Sequence, residues 1–264
     1  MNFAIFCNRR SNFKIRILTL FLALSILFTP TVASAKPAAG VSGALSIIPG
    51  LGQVANGEPL EGLAWFSSVV GLVIAGGPVA GQIGFDLWQY NMYDAYRDAG
   101  PSIGRFAEHN VAQNYIATFN PLNIVDPIGA PIVAVGAVAG TRNKYRGLRN
   151  PTYIPYYAFV GLGEEGLFRG FLFPAFSDVI GTVPGALVSS ALFSLFHITN
   201  GPEALRVFPL AQRFIMGMLF CWQVHRNQYD LRHSIFAHAW FDVFVGPGSS
   251  GKIEGGMAGV KFRF

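Results

Sequence analysis

The chain has 264 residues, 52% of them hydrophobic and 12% charged, with a net charge of +5. A water-soluble domain carries about a quarter charged residues, so this composition excludes an ordinary soluble enzyme. The basic residues sit at helix flanks and in one short loop rather than on an aromatic-interleaved face, which excludes a nucleic-acid partner.

From the N-terminus, Arg9, Arg10, Lys14 and Arg16 precede an apolar stretch over residues 17–28 and then Ala33-Ser34-Ala35. This is the layout of a secretory signal cleaved after Ala35. An uncleaved signal anchor is the rival reading, and either one sends the chain to a membrane. Residues 1–35 are therefore assigned to a signal peptide or signal anchor. Cys7 and Cys221 provide no disulfide framework, and Cys221 is read as helix packing.

Residues 36–150 form an N-terminal membrane or interfacial segment. Ile48-Pro49-Gly50-Leu51-Gly52-Gln53 and Asn56-Gly57 interrupt any simple helix ahead of an apolar run over 60–80. This stretch resembles short membrane-hairpin modules that open with Pro-Gly-Leu-Gly-Gln. Residues 86–120 are more polar, and Tyr90, Tyr93 and Tyr96, spaced three apart, suggest an amphipathic helix at the interface or a solvent-facing one. The Gly-, Ala- and Val-rich run 121–140, with Pro127 and Pro131, reads as a kinked or partial span. The loop 141–150 holds Arg142, Lys144, Arg146 and Arg149 and no acid, so the positive-inside rule places it in the cytoplasm. Counting spans from the signal leaves that placement in conflict unless 40–56 also inserts.

Residues 151–247 read as a bundle of four helices, near 153–176, 179–197, 205–225 and 231–245. Residues 248–264 read as a flexible tail whose ending alternates apolar and polar without the many further strands a barrel needs. The expected fold is an all-α, multi-pass transmembrane helical bundle with a membrane-embedded polar site.

Ionisable side chains inside apolar helices mark functional sites. In Gly163-Glu164-Glu165-Gly166-Leu167-Phe168-Arg169, Glu165 and Arg169 are four apart and can pair. Glu164 points about 100° away, its neighbours on that face being Val160 and Phe168, and is left free to act on a water. His197 ends Phe193-Ser194-Leu195-Phe196-His197; His238 and Asp242 share a face in His238-Ala239-Trp240-Phe241-Asp242. Ser189, Ser190 and Ser194 sit in no nucleophile motif and read as packing. His109, His225 and His233 read as surface residues.

Glu-Glu-x-x-x-Arg, Phe-x-x-x-His and His-x-x-x-Asp, in this order on separate apolar helices, resemble the CAAX-protease and bacteriocin-processing family, also called abortive-infection membrane proteases. The resemblance covers about residues 153–245. It implies a helical bundle with a site buried in the membrane, Glu164 activating water with His197, Glu165 and Arg169 as a supporting pair, and His238 with Asp242 facing the scissile carbonyl. The last position of that signature is Asn or Asp, and the Asp242 found here bears on mechanism: an Asn could donate to an oxyanion, whereas an ionised Asp242 cannot, so it either fixes the tautomer of His238 or joins Glu164, His197 and His238 around a divalent metal. No cofactor is expected, and metal is not favoured because no His-Glu-x-x-His motif is present.

The expected activity is that of a CAAX-protease-like peptidase acting on a peptide or protein substrate in the lipid bilayer of a bacterial inner membrane. A non-catalytic immunity or scaffold protein of the same fold is the alternative, and a proton-conducting transporter a third.

Overall fold

The computed structural model describes residues 37–101, 110–142, 148, 150–200 and 205–246. The expected signal, His109, most of the basic loop and the C-terminal tail lie outside the described residues. Among the described residues every regular element is helical and no strand is present.

Two short helices, α1 (Ala39–Leu45) and α2 (Leu51–Ala55), lead into α3 (Pro59–Ala75) and α4 (Pro78–Asp98). Pro59 and Pro78 each stand in the first helical turn, where a missing N–H breaks no intrahelical bond. The apolar run expected over 60–80 therefore splits at Gly76-Gly77. The Pro-Gly-Leu-Gly-Gln stretch docks on α4 through buried polar groups. Gly50 N donates to Asn91 Oδ1 (2.9 Å), Gln53 Nε2 to Asp94 Oδ2 (3.2 Å) and Asn56 Nδ2 to the Ala95 carbonyl (2.9 Å).

The structure corrects the expectation for Tyr90, Tyr93 and Tyr96. They are 0%, 1% and 2% exposed, so the polar face of α4 points into the protein and not to an interface. Other polar side chains are buried too, and several large apolar ones are exposed. Asp86, Gln89, Asn91, Asp94, Glu164, Glu165 and Arg169 are buried, while Leu60, Val179, Val207, Phe208 and Trp222 face outwards.

Next come α5 (Val111–Ala117), opened by a reciprocal Asn110–Gln113 capping box, a 3-10 turn (Pro121–Val125) and α6 (Gly129–Arg142). The expected kinked span over 121–140 is broken at Asp126, leaving α6 with 14 residues. That length rises about 21 Å, short of the roughly 30 Å of a bilayer core.

Asp126 caps α6 and ties it to the far end of the chain. Its Oδ1 accepts from the N–H groups of Ile128 (2.9 Å) and Gly129 (2.7 Å) and from Gln223 Nε2 (2.8 Å), and its Oδ2 accepts from Asn227 Nδ2 (2.9 Å). Burial pushes this carboxyl up, but the hydrogen bonds from Asn227, Gly129, Ile128 and Gln223 outweigh it and hold the group below its ordinary value. Asp126→Ala is expected to lower stability by about 2–4 kcal/mol, because it removes a cap and leaves two amides unpaired. The purified protein's thermal midpoint measures it. The parent holds this contribution above the unfolded carboxyl value of about 3.9 and loses it as pH falls through the lower folded value, so the gap between parent and variant closes in acid.

The C-terminal elements are α7 (Tyr153–Glu165), a π-helical turn (Gly166–Leu172), α8 (Phe173–Ile180), α9 (Thr182–Phe196), α10 (Val207–Arg226) and α11 (Arg232–Val245). They follow the four expected segments closely, with Gly181 (φ 91°) dividing α8 from α9. Among the described residues α10 is the one helix long and apolar enough to cross a membrane; α9 and residues 59–74 of α3 are shorter apolar helices.

One core is built from both halves of the chain, joining Trp65, Tyr90 and Tyr93 to Leu162, Phe168, Phe193 and Ile235. α4 runs alongside α7 and the π-helical turn on a track of glycines. A Cβ on Gly163 would lie 2.5 Å from the Asp86 carbonyl oxygen and one on Gly166 3.0 Å from the Tyr90 ring, while Gly170 faces Tyr93. Only a residue without a side chain permits that approach at 163.

Candidate active site

The Glu-Glu-x-x-x-Arg motif straddles the change from α to π winding. Glu164 and Glu165 end α7, and Arg169 lies within the π-helical turn. Wider winding of this kind recurs at functional sites because it re-aims side chains that a regular helix would space evenly. The local cost is met by a neighbour: the Phe168 carbonyl accepts from the Phe173 N–H in the longer register and from Ser189 Oγ of α9 at 2.6 Å.

Glu165 and Arg169 pair as their spacing suggests, with Arg169 Nη1 3.0 Å from Glu165 Oε1 and neither side chain exposed. The guanidinium also lies over the rings of Phe193 (4.1 Å to the centroid) and Phe220 (5.1 Å), an arrangement that suits its weakly hydrated planar charge. Glu165 Oε1 further accepts from His238 Nδ1 at 2.8 Å. A carboxylate oxygen can only accept, so His238 carries a proton on Nδ1 and turns Nε2 away from Glu165.

Glu164 faces that nitrogen. Its Oε2 is 3.6 Å from His238 Nε2 and 3.4 Å from His197 Nε2. His197, at the end of α9, is fixed in the same way, with Nδ1 2.8 Å from the Phe193 carbonyl. Asp242 Oδ2 stands 3.6 Å from His238 Nε2 on the other side. The aromatic walls hold both rings: Phe220 stacks on His238 at 5.3 Å, and Phe193 meets His197 edge-on at 4.7 Å. The structure thus brings together all six residues singled out in the sequence: Glu164, Glu165, Arg169, His197, His238 and Asp242.

Side-chain exposure falls in one direction through the cluster, from Asp242 (24%), His197 (16%) and Glu164 (11%) to His238 (6%) and then to Glu165 and Arg169 (0%). The cluster is thus most exposed on the Asp242 and His197 side, and Glu165 with Arg169 forms its sealed floor.

Residues 149–244 match the family model described as type II CAAX prenyl endopeptidase Rce1-like. The C-terminal segment is similar to this family's domain. All six clustered residues fall inside the matched range. The Rce1-like family is one of membrane proteases, and α10 supplies a helix able to cross a membrane. Comparison with curated proteins and with solved structures gives no match.

The other histidines stay apart from this cluster: His225 is exposed at the end of α10, and half-buried His233 contacts the Asn123 carbonyl at 3.3 Å. Ser190 and Ser194 pack between helices, Ser190 beside buried Cys221 (3.8 Å) and Ser194 donating to the Leu210 carbonyl (2.8 Å). Among the described residues one set of three ligand-type side chains closes within 4.8 Å, Glu58, Glu61 and Asp98, remote in sequence from the six.

Two neighbours of the cluster were not singled out in the sequence. Asp86 of α4 is 1% exposed and lies within electrostatic reach of Glu164 and His238. Tyr156 of α7 lies within reach of Asp86, Asp242 and Glu164. The available signal for Asp86 was its place among polar residues recurring at helical spacing, Asp86, Tyr90, Tyr93 and Arg97, a stripe that suits the interior of a bundle whose exterior is lipid.

Proposed function

We propose that the chain is a multi-pass intramembrane endopeptidase of the plasma membrane that hydrolyses a peptide bond with a water activated by Glu164. The observation that carries this reading is the placement of Glu164 Oε2 between two imidazole Nε2 atoms, at 3.4 and 3.6 Å, each held by a bond to its opposite nitrogen. That oxygen is buried and makes no well-formed hydrogen bond among the described residues, which suits a proton acceptor for a reactant.

The chemistry follows from these contacts. Glu164 Oε2 takes a proton from water as the water oxygen bonds to the scissile carbonyl carbon. The charge developing on the carbonyl oxygen is met by an N–H on Nε2 of His238, whose positive charge Glu165 and Asp242 support from either side. The proton held by Glu164 then passes to the departing amine nitrogen as the C–N bond breaks. In this scheme Asp242 acts on His238 and not on the oxyanion, which gives an acid a role at a position where the family pattern allows Asn or Asp. His197 steadies the carboxylate of Glu164. Each step is carried by side chains of the chain and none is routed through a metal.

The buried ionisable groups, together with large apolar side chains on the outside, support a lipid setting. The substrate is a membrane peptide or protein reaching the cluster from the Asp242 side.

The test compares the peptides in membranes of cells carrying the parent chain with those carrying His197→Ala. One new terminus present with the parent and lost with the variant identifies the substrate. Identical peptide sets, with both proteins present at equal amounts, would overturn the protease reading in favour of a non-catalytic scaffold.

A further inference from the structure

Glu164 and His197 come from different elements, so the 3.4 Å between Glu164 Oε2 and His197 Nε2 depends on how the end of α9 is held against α7. His197 stands just past α9, at the start of a 3-10 turn (His197–Asn200). The contact of its Nδ1 with the Phe193 carbonyl orients the ring relative to its own helix but does not fix where that helix end lies. Neighbouring elements must do so.

One of those neighbours lies outside the family-matched residues. Phe85 of α4 is buried and packs on Phe196, the residue before His197, with ring centroids 5.9 Å apart and planes within 3° of parallel. Rings at this separation attract and resist sliding. The next residue, Asp86, abuts α7 through its backbone, at Gly163 immediately before Glu164. Two consecutive residues of α4 therefore touch the chain one position ahead of Glu164 and one position ahead of His197.

Phe85 is itself braced. Trp88 lies 5.4 Å from it, ring to ring, and donates from Nε1 to the Ile47 carbonyl at 3.0 Å. Gly84 brings this turn of α4 close to α3, where a Cβ would stand 3.1 Å from the Val69 carbonyl oxygen. From the other direction Phe168 of the π-helical turn meets Phe196 edge-on at 5.4 Å. Phe196 is thus gripped between α4 and the element that carries Arg169.

We infer that Phe85 is a positioning residue of the site: acting through Phe196, it sets the place of His197 opposite Glu164. This rests on reading Glu164 and His197 as a working pair. It goes beyond that reading in making the first half of the chain part of the site's alignment. A displacement of about 1 Å at a reacting group can cost about 100-fold in rate, so removing the Phe85 ring is expected to lower kcat by about 10- to 100-fold with little change in KM.

The test has an arm that needs no substrate. The purified full chain in detergent, grown with ring-13C-histidine, is compared at one pH by NMR, with the His197 resonance assigned by its loss in His197→Ala. Phe85→Leu is expected to shift or split the His197 resonance, whereas the His238 resonance stays in place because Glu165 holds that ring. Phe85→Tyr, which keeps a ring, is expected to match the parent. An unmoved His197 resonance in Phe85→Leu would overturn the proposal. So would equal movement of both histidines, the mark of general loosening. If Phe85→Leu does not accumulate, Phe85→Met removes the ring while filling the space with an adaptable side chain, and gives the same comparison. In the cleavage arm, Phe85→Leu combined with Phe196→Leu is expected to lose no more than the worse single variant, because both break one contact; losses that multiply in full would refute the route through Phe196. A chain that cleaves nothing yet shows the His197 shift retains the alignment role and loses only the protease reading.

Discussion

Replacing Glu164 by glutamine is expected to lower the rate of cleavage by about 100- to 10,000-fold, the usual contribution of a positioned general base, with little change in thermal stability. The amide matches the carboxylate in size, and the oxygen it alters makes no well-formed hydrogen bond among the described residues. The measurement is turnover of the identified membrane peptide by parent and variant protein, alongside their melting curves. Turnover falling with the melting point unchanged identifies Glu164 as the proton acceptor. A variant that cleaves as fast as the parent would sink that role, and a variant that only melts earlier would mark the residue as bundle glue.

Arg169→Ala is expected to act through stability. It strips the counter-charge from Glu165, whose side chain is fully buried, and empties the space between the rings of Phe193 and Phe220. Removing one partner of a buried ion pair costs about 3–5 kcal/mol, a large part of the stability of most domains. The variant should accumulate poorly, and what is purified should melt well below the parent. Combining Arg169→Met with Glu165→Leu should recover part of that loss, since no charge is then left alone in the interior. Recovered stability is not expected to restore cleavage, because His238 would have lost the acceptor that orients its ring. A double variant no more stable than Arg169→Ala would show that packing, and not the stranded charge, dominates.

These expectations draw on parts of the structure that were unequally visible in the sequence. The Glu165–Arg169 pair and the His238–Asp242 pair could be read from four-residue spacing, because helical geometry fixes which side chains meet. That Glu164 would face both imidazoles could not, since spacing within one helix says nothing of how three helices turn towards each other. The π-helical winding over Gly166–Leu172 also left no trace, as a longer hydrogen-bond register is chosen by the neighbours of a helix, here Ser189, and not by its own periodicity.

The reading of α4 failed for a different reason. A stripe of tyrosines and acids looks the same whether it faces water or a polar interior, and only the surroundings decide. In Tyr90, Tyr93 and Tyr96 the structure chose the interior. The same ambiguity hid Asp86. Helix breaks were easier: Gly76-Gly77 and Gly181 punctuate the chain as their conformational freedom suggests, whereas the interruption at Asp126 depends on Gln223 and Asn227, nearly a hundred residues away along the chain, and could not be foreseen locally.

The glycine track at 163, 166 and 170 has a consequence for how such a protein can diversify. Each glycine makes room for one residue of the first half, Asp86, Tyr90 or Tyr93. Ancestral exchange of the two halves between lineages would succeed only where donor and recipient carry matching sizes along this seam. Wherever a descendant gains a methyl group at one of the three glycines, a trimmed side chain on the facing helix should accompany it.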